Sequence, residues 1–243
     1  MSIGDAEIKT QERVIRFFKD PEILGYQYIG NLSDYQNKNI KEDRLRQYLR
    51  LKGYADKLID AAIMQLQQEA GNLSRGVYDA NKTVYSRLKY GIPVSESPEK
   101  PPVTVQLVDE EKPLNNDFAI AEEVTVVEQS EKRPDLVVYL NGIAVAVIEL
   151  KRSSISVSEG IRQNLTNQKN SFIQSFFTTM QFCMAGNESE GLRYGTLLTG
   201  EKFYMEWKDD GFKEHEEERD PVDVRISKTC EGIENKLLKQ IYA

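Results

Sequence analysis

The chain of 243 residues is 40% hydrophobic and 29% charged, values typical of a globular protein that can bury a core. No apolar stretch approaches the roughly 20 residues that a membrane span requires, and the N-terminus lacks the layout of a signal peptide, so we expect a cytoplasmic protein without a membrane partner. The net charge of −7 argues against indiscriminate nucleic-acid binding by the whole surface, and the single histidine, His215, excludes a histidine-rich metal site and makes Ser–His–Asp chemistry improbable.

The first part of the chain, the segment 1–94, is predicted to be helical because its apolar residues recur at helical spacing. The predicted helices are 8–19, two helices within 41–70 that meet at Gly53, and 77–94, which ends at Gly91. The proline- and serine-rich stretch 95–102 is predicted to be a linker between this helical part and the rest.

After this linker the sequence is rich in valine and isoleucine and is interrupted by turn residues, which predicts strands. The predicted strands are 103–108, 118–127, 135–140, 143–151 and two within 193–208; a helix is predicted at 158–169, a short helix at 228–242, and either a helix or a strand within 171–186. Helices that flank a mixed sheet indicate an α/β or α+β fold.

The stretch "RPDLVVYLNGIAVAVIELKRSS", residues 133–154, is apolar but begins with Asp135 and ends with Glu149 and Lys151. Burial of such groups costs several kcal/mol unless they are paired, hydrated or bound to a metal. The pair Asn141–Gly142 is a strong turn signal, so the two halves of the stretch are predicted to form adjacent antiparallel strands.

The register of these two strands decides whether the charged side chains meet. A strict two-residue loop pairs Leu140 with Ile143 and leaves Asp135 on the opposite face from Glu149. A three-residue loop, with Gly142 in a left-handed bulge position, brings both carboxylates to one face. Clustering of the charges therefore requires this bulged turn or a bulge elsewhere in the ladder.

If the cluster forms, Asp135, Glu149 and the backbone carbonyl of Leu150 can hold Mg²⁺, with water completing the coordination shell. Lys151 would then help to lower the pKa of a water molecule or stabilise a pentacovalent phosphate. This is the chemistry of phosphodiester hydrolysis, and it needs no histidine. A salt bridge that caps two strands would have the same sequence pattern, so the motif alone leaves both interpretations open.

The same stretch, followed by "EGIRQNLTNQ", resembles the PD-(D/E)xK nuclease domain at the N-terminus of the R (restriction and motor) subunit of type I restriction-modification enzymes. Further blocks occur in the order found in that family and extend the resemblance over nearly the whole chain. These blocks are "TQERVIRFF", "VYDANKTVYSRLKYGIPV", "NNDFAIAEEVTV", "MQFCMAGNESEGLRYGTLLTG" and "FYMEWK".

The resemblance implies a single nuclease domain, 1–243, with a restriction-endonuclease-like αβββαβ core inside a mixed sheet flanked by helices. The core elements would lie within 103–208, completed by the helix 8–19, and a tail, 209–243, would follow. The elements implied are helix 8–19, strands 118–127, 135–140 and 143–151, helix 158–169 and a strand at 194–198.

The resemblance also implies roles for particular residues. Asp135 and Glu149 match the metal-binding acidic pair and Lys151 the catalytic lysine. Gln163 matches the glutamine of a Q-x-x-x-Y motif that is thought to help position DNA, whereas Asn167 stands at the position of the tyrosine.

Four further residues are candidates for supporting roles. Glu12 on the first helix stands where many relatives carry an acidic residue that supports the metal shell, and a solvated carboxylate is the alternative. Gln168 is a possible substitute for the absent tyrosine. Arg152 and Arg162 are phosphate-contact candidates because they lie close to the motif in sequence.

The function implied is an Mg²⁺-dependent endonuclease that cleaves duplex foreign DNA in a complex with methyltransferase (M) and specificity (S) subunits. The chain has no G-x-x-x-x-G-K-[ST] phosphate loop, so ATP binding and the ATP-dependent motor are expected in a part outside this fragment. The alternatives are a non-catalytic docking or DNA-binding module of the same assembly, or a RecB-like or repair nuclease on the same fold.

Overall fold

The structure, a computed structural model, describes residues 3–97, 99–206 and Leu237. The predicted helix 228–242 and the rest of the tail 209–243 fall outside the described residues, apart from Leu237. In the part of the chain that is described, no helix has the length and apolar character needed to cross a membrane.

Among the elements whose bounds the described residues give, seven strands form the main sheet and five α-helices accompany it. The helices are α1 (Ile3–Lys19), α2 (Glu42–Leu51), α3 (Asp56–Gly71), α4 (Val77–Tyr90) and α5 (Val157–Asn167). The strands are β1 (Gln27–Asn31), β2 (Ile92–Val94), β3 (Val103–Val105), β4 (Phe118–Glu122), β5 (Val126–Val127), β6 (Glu131–Lys132), β7 (Leu136–Leu140), β8 (Ile143–Leu150), β9 (Phe182–Asn187), β10 (Gly191–Gly195) and β11 (Met205–Glu206).

The main sheet has the strand order β1-β4-β7-β8-β9-β10-β11. β1 is parallel to β4 and β8 is parallel to β9, whereas the other neighbours are antiparallel. The parallel step from β8 to β9 contains α5, as expected for a helical crossover. The predicted mixed sheet flanked by helices is confirmed.

Three sequence-based boundaries need correction. The strand that follows α5 and pairs with β8 is β9, within the ambiguous stretch 171–186, and not the predicted 194–198. The predicted strand 118–127 ends at Glu122, because Glu123 adopts a φ of 51° and breaks the extended backbone. The predicted linker 95–102 connects β2 to β3, which pair with each other, so it closes a hairpin and does not separate two units.

Two apolar clusters cover the two faces of the sheet. On one face Val137, Tyr139 and Val147 pack with Phe176 and Phe177, which lie in a 3₁₀ helix, Gln174–Thr179. On the other face α1 buries an apolar stripe against the sheet; the residues of this second cluster include Val14, Ile15, Phe18, Leu136, Ile148 and Leu150. A third cluster joins α2, α3 and α4 and reaches the sheet at Ile143.

The turn between β7 and β8 has two residues, and the bulge lies further along the ladder. Asn141 and Gly142 have φ values of 53° and 85°, and Leu140 pairs with Ile143 across them. The ladder then skips Val145, whose carbonyl accepts a hydrogen bond from the backbone N–H of Gln181 at 2.7 Å. The predicted three-residue loop is wrong, and the alternative of a bulge elsewhere in the ladder is confirmed.

This bulge decides which face Asp135 occupies. Beyond it Leu136 stands opposite Ile148, so the next pair of positions along the ladder is Asp135 and Glu149. Directly opposite residues of an antiparallel pair project to the same face. Without the bulge, Asp135 would face Ile148 and lie on the reverse side from Glu149.

The turn itself is fixed by contacts with α2, which gives a test of how tightly the two elements fit. A Cβ at position 142 would lie 2.7 Å from the carbonyl oxygen of Lys41 and 2.8 Å from the backbone nitrogen of Leu45. Gly53 has the same φ of 85°, but nothing lies within 4 Å of a Cβ built there. The two glycines therefore have the same φ and differ in how closely other atoms approach a Cβ at each position.

We predict that Gly53→Ala lowers the free energy of unfolding by about 1–2 kcal/mol, the usual cost of a left-handed backbone for a residue with a Cβ. Gly142→Ala should cost about 1–3 kcal/mol more, because the backbone of α2 must move. Urea denaturation of both variants measures the difference. Equal losses of unfolding free energy in the two variants would show that α2 can move without destabilising the protein and that the turn does not fix its position.

Candidate active site

Asp135, Glu149 and Lys151 meet at one end of the β7–β8 pair. Asp135 directly precedes β7, Glu149 is the penultimate residue of β8, and Lys151 follows that strand. The charge of Lys151 acts on both Asp135 and Glu149, and the charge of Asp135 acts on Glu149, as expected in a shared site. The structure thus brings together the three residues that the sequence motif singled out.

Glu149 has no solvent-exposed surface, and its two carboxylate oxygens have different surroundings. Oε2 accepts a hydrogen bond of 2.7 Å from Nε2 of Gln163 on α5. No donor among the described residues reaches Oε1. Buried polar atoms in native proteins nearly always have a partner, so this oxygen indicates a function beyond packing.

A glycine allows α5 to lie close enough for this contact. A Cβ at Gly160 would come within 2.9 Å of the Cβ of Ala185 and 3.4 Å of the Cβ of Glu149. Any side chain at this position would push the helix away from β8 and β9. Gly160 therefore helps to place Gln163, one turn further along the helix, against Glu149.

Asp135 is held by backbone on both sides and stays partly open to solvent. Its Oδ2 accepts a hydrogen bond of 2.7 Å from the backbone N–H of Leu150. Its own carbonyl oxygen accepts one of 2.8 Å from the backbone N–H of Glu123. The first bond fixes the carboxylate relative to β8, and the second fixes the backbone of Asp135 relative to the residue that follows β4.

Burial opposes ionisation of both acids. It raises the pKa of Asp135 to about 6, although the positive charge of Lys151 and the bond from Leu150 act in the opposite direction. Burial raises the pKa of Glu149 well above its usual range, and the neighbouring charge of Asp135 raises it further.

The ammonium group of Lys151 does not neutralise this pair by itself. Its Nζ lies 3.0 Å from the carbonyl oxygen of Leu150 and 3.4 Å from Oε1 of Glu7 on α1. The side chain is 16% exposed, so the group is largely withdrawn from bulk water. Among the described residues, three carboxyl groups (Glu7, Asp135 and Glu149) thus share one ammonium group.

Two residues near the site were missed by the sequence analysis. Glu7 contacts Lys151, and the buried side chain of Gln11 donates to Glu122 Oε2 at 3.0 Å and to Glu123 Oε1 at 3.1 Å. Both lie on the face of α1 that points to the sheet. The signal was available, since the apolar stripe of the helix extends backwards to positions 11 and 7 at intervals of three or four residues.

The family model described as "Type I restriction enzyme R protein N terminus" matches residues 7–203. The chain belongs to this family. No curated protein matches it.

The geometry of α1 does not support the prediction that Glu12 contributes to the metal shell. Glu12 is exposed, whereas Gln11, one residue earlier, is buried against the acidic end of β4. A step of one residue turns the helix by about 100°, so the two side chains point in different directions. Among the described side chains of α1, Glu7 is the acidic one that reaches the site.

The two arginines predicted to contact phosphate have different surroundings. Arg162 donates two bonds of 2.9 Å to Glu201 and one of 2.6 Å to Glu159, which joins α5 to the turn before β11. Its side chain is 54% exposed, and the predicted phosphate contact stays a prediction. Arg152 is partly exposed directly after Lys151 and remains a candidate for phosphate contact.

Gln168 has a structural position. Its side chain is almost fully buried, and Oε1 accepts a hydrogen bond of 2.7 Å from the backbone N–H of Leu198, a residue with a φ of 61°. The prediction that Gln168 replaces the absent tyrosine in contact with DNA is therefore wrong. Asn167, at the tyrosine position, is also buried.

The donor set suits a hard divalent cation that keeps most of its water. Among the described residues no group of three or more His, Cys, Asp or Glu side chains is arranged to bind a metal. Asp135 and Glu149 supply carboxylate oxygens, and the carbonyl oxygen of Leu150 lies beside the ammonium group of Lys151, so all the candidate donors are oxygen. Mg²⁺ is usually held by one or two carboxylates and several waters, so the residues present fit this ion.

The buried carboxylates predict a pH-dependent cost to stability. Well below pH 4.5, the ordinary pKa of a glutamate, Glu149 is protonated in both the folded and the unfolded chain, and its ionisation does not lower the free energy of unfolding. Above that pH the unfolded chain ionises freely while the folded chain resists, so folding weakens as pH rises towards the raised pKa.

We predict that Glu149→Gln raises the free energy of unfolding by about 1–3 kcal/mol at pH 8 without divalent ions, because the neutral amide removes a buried acid whose ionisation the folded chain resists. The gain should vanish near pH 4. Thermal unfolding across this range measures it, with Glu12→Gln as the exposed control. A gain that is independent of pH would contradict the assignment of the cost to ionisation.

Proposed function

We propose that this domain hydrolyses phosphodiester bonds of duplex foreign DNA with Mg²⁺, within a complex that contains methyltransferase (M) and specificity (S) subunits. The observation that carries this proposal is the buried pair Asp135–Glu149, with Oε1 of Glu149 lacking a donor among the described residues and Lys151 alongside. Membership of the R-subunit family supports the assignment to restriction of DNA.

A purely structural ion pair explains the site less well. A strand-capping salt bridge needs one carboxylate and one ammonium, whereas here Lys151 is shared by Glu7, Asp135 and Glu149. Three carboxyl groups around one ammonium require that at least one acid stays protonated or that a further cation binds. This imbalance favours the hydrolytic interpretation over the docking module.

The residues of the site divide the work of binding and positioning. Asp135 and Glu149 would hold the cation with the carbonyl of Leu150, and Gln163 fixes Glu149 so that Oε1 stays directed at the shared site. A bound Mg²⁺ supplies a water molecule of lowered pKa and positive charge beside the phosphate.

Lys151 has the position expected of a group that stabilises charge on the reacting phosphate. Its Nζ reaches the carbonyl oxygen of Leu150, one of the proposed cation ligands, so the ammonium lies at the edge of the binding site. A preorganised positive charge in a partly dehydrated site stabilises developing negative charge more strongly than one in water. Arg152, the next residue, is partly exposed and would contact the DNA backbone nearby.

ATP belongs to a different part of the proposed assembly. This sequence contains no phosphate loop, so ATP would act through a motor outside the chain and not at this site. Recognition of a DNA sequence would belong to the S subunit. The nuclease domain itself should therefore show little sequence preference.

Cleavage by the intact complex tests the catalytic assignment. We expect Asp135→Ala and Lys151→Ala to reduce cleavage of unmethylated plasmid at least about 10²-fold, since each removes a group that acts on the reacting phosphate or its cation. ATP hydrolysis should persist in both variants, which shows that the complex has assembled. Lys57→Ala, an exposed lysine on α3, serves as the matched control.

The outcome separates the two interpretations. If the variants still cut at the wild-type rate, the charged cluster is structural and the docking module is favoured. Loss of cleavage together with loss of ATP hydrolysis in both variants, but not in the control, would indicate that the cluster is needed for assembly.

Mg²⁺ binding can be measured apart from cleavage. A ligand at a hundredfold excess over its Kd stabilises the folded state by about 2.7 kcal/mol, and we expect Mg²⁺ to raise the melting temperature of the wild-type chain accordingly. Asp135→Asn and Glu149→Gln should not respond. Equal responses of the wild type and both variants would place the cation elsewhere.

A further inference from the structure

The face of the main sheet that carries α1 is only partly covered by the described elements. Beyond the end of α1 this face forms an apolar groove of about 210 Å³. The residues that line it include Phe18, Val138, Leu140, Val145, Met184 and Leu192. Four of them, Val138, Leu140, Val145 and Met184, remain partly exposed to solvent, so something more is needed to bury this surface.

One residue of the C-terminal segment already lies at the margin of this groove. Leu237 is 1% exposed and packs in the same cluster as Phe18, Ile148 and Leu192, all three of which also line the groove. Gly186 makes room for it, because a Cβ there would lie 2.7 Å from Cδ1 of Leu237. The residue is thus fitted between β9 and the end of α1.

The sequence around Leu237 has the pattern of an element with one apolar face. Ile233, Leu237, Leu238 and Ile241 are spaced at four, one and three residues, which places them along one side of a helix. The intervening residues are mostly charged or polar. The 37 residues that follow Glu206 are enough to return from β11, at the edge of the sheet, to the groove.

We propose that the segment 228–242 of this chain occupies the groove, with its apolar side against the sheet, and completes the core behind the candidate active site. Ile148 and Leu150 flank Glu149 along β8 and face the cluster that contains Leu237. The segment therefore supports the strand that positions Glu149 from the side opposite to α5. This inference concerns packing and holds whether or not the site hydrolyses DNA.

The first test is hydrogen exchange of the full 243-residue chain. We expect Ile241→Asp to speed amide exchange in β7, β8 and β9 about tenfold while α2 and α3 keep their protection, since only the local cover is lost. Asn235→Asp introduces the same charge on the polar side and should leave both regions unchanged. Identical exchange in the two variants would overturn the proposal.

Cross-linking gives an answer even if Ile241→Asp unfolds the protein. A photoreactive p-benzoylphenylalanine in place of Tyr242 should form cross-links to groove residues such as Leu140 or Met184 within the monomer. Cross-links between two chains in a dimer would assign the groove to a second copy and refute the proposal. Cross-links confined to α2, α3 or α4 would refute it as well.

Discussion

The extra residue in β8 is the constraint on which the arrangement of the site depends. Val145 has no partner in the β7 ladder, and this single insertion changes the pairing from Leu140–Ile143 at the turn to Leu136–Ile148 at the far end. Side chains alternate between faces along a strand, so one skipped residue transfers every later side chain to the other face. Asp135 and Glu149 therefore meet, and the bulge is held by the bond from Gln181.

Because the two carboxyl groups meet in a buried place, their pKa values are raised and a helix must approach closely to hold one of them. Complete burial of Glu149 and partial burial of Asp135 raise both pKa values, and α5 is drawn close by Gly160 so that Gln163 can bind one oxygen of Glu149. These contacts position the acids without neutralising them. A fold that tolerates such a cost is typical of sites where the missing compensation comes from a ligand.

The helix α1 joins the apolar core to the acidic end of the sheet. Its apolar residues pack on the strands, and one turn earlier Gln11 and then Glu7 extend the same face to Glu122, Glu123 and Lys151. Hydrophobic packing of the helix thus determines where its polar residues act. The face of the sheet that carries α1 continues past the end of this helix into the groove, and Leu237 is buried at the margin of that groove.

The local sequence determined the helices, the strands β7 and β8, and the motif of Asp135, Glu149 and Lys151, because these depend on periodicity and turn residues within short stretches. The family blocks likewise lie in the sequence itself, and the matched range 7–203 agrees with them. Tertiary structure alone decided the location of the bulge, since both a three-residue loop and a skipped Val145 satisfy the same pattern of side chains. It also decided that Glu7 and not Glu12 reaches Lys151, that Gln168 is buried, and that β9 follows α5, because each depends on packing between segments that are distant in the chain.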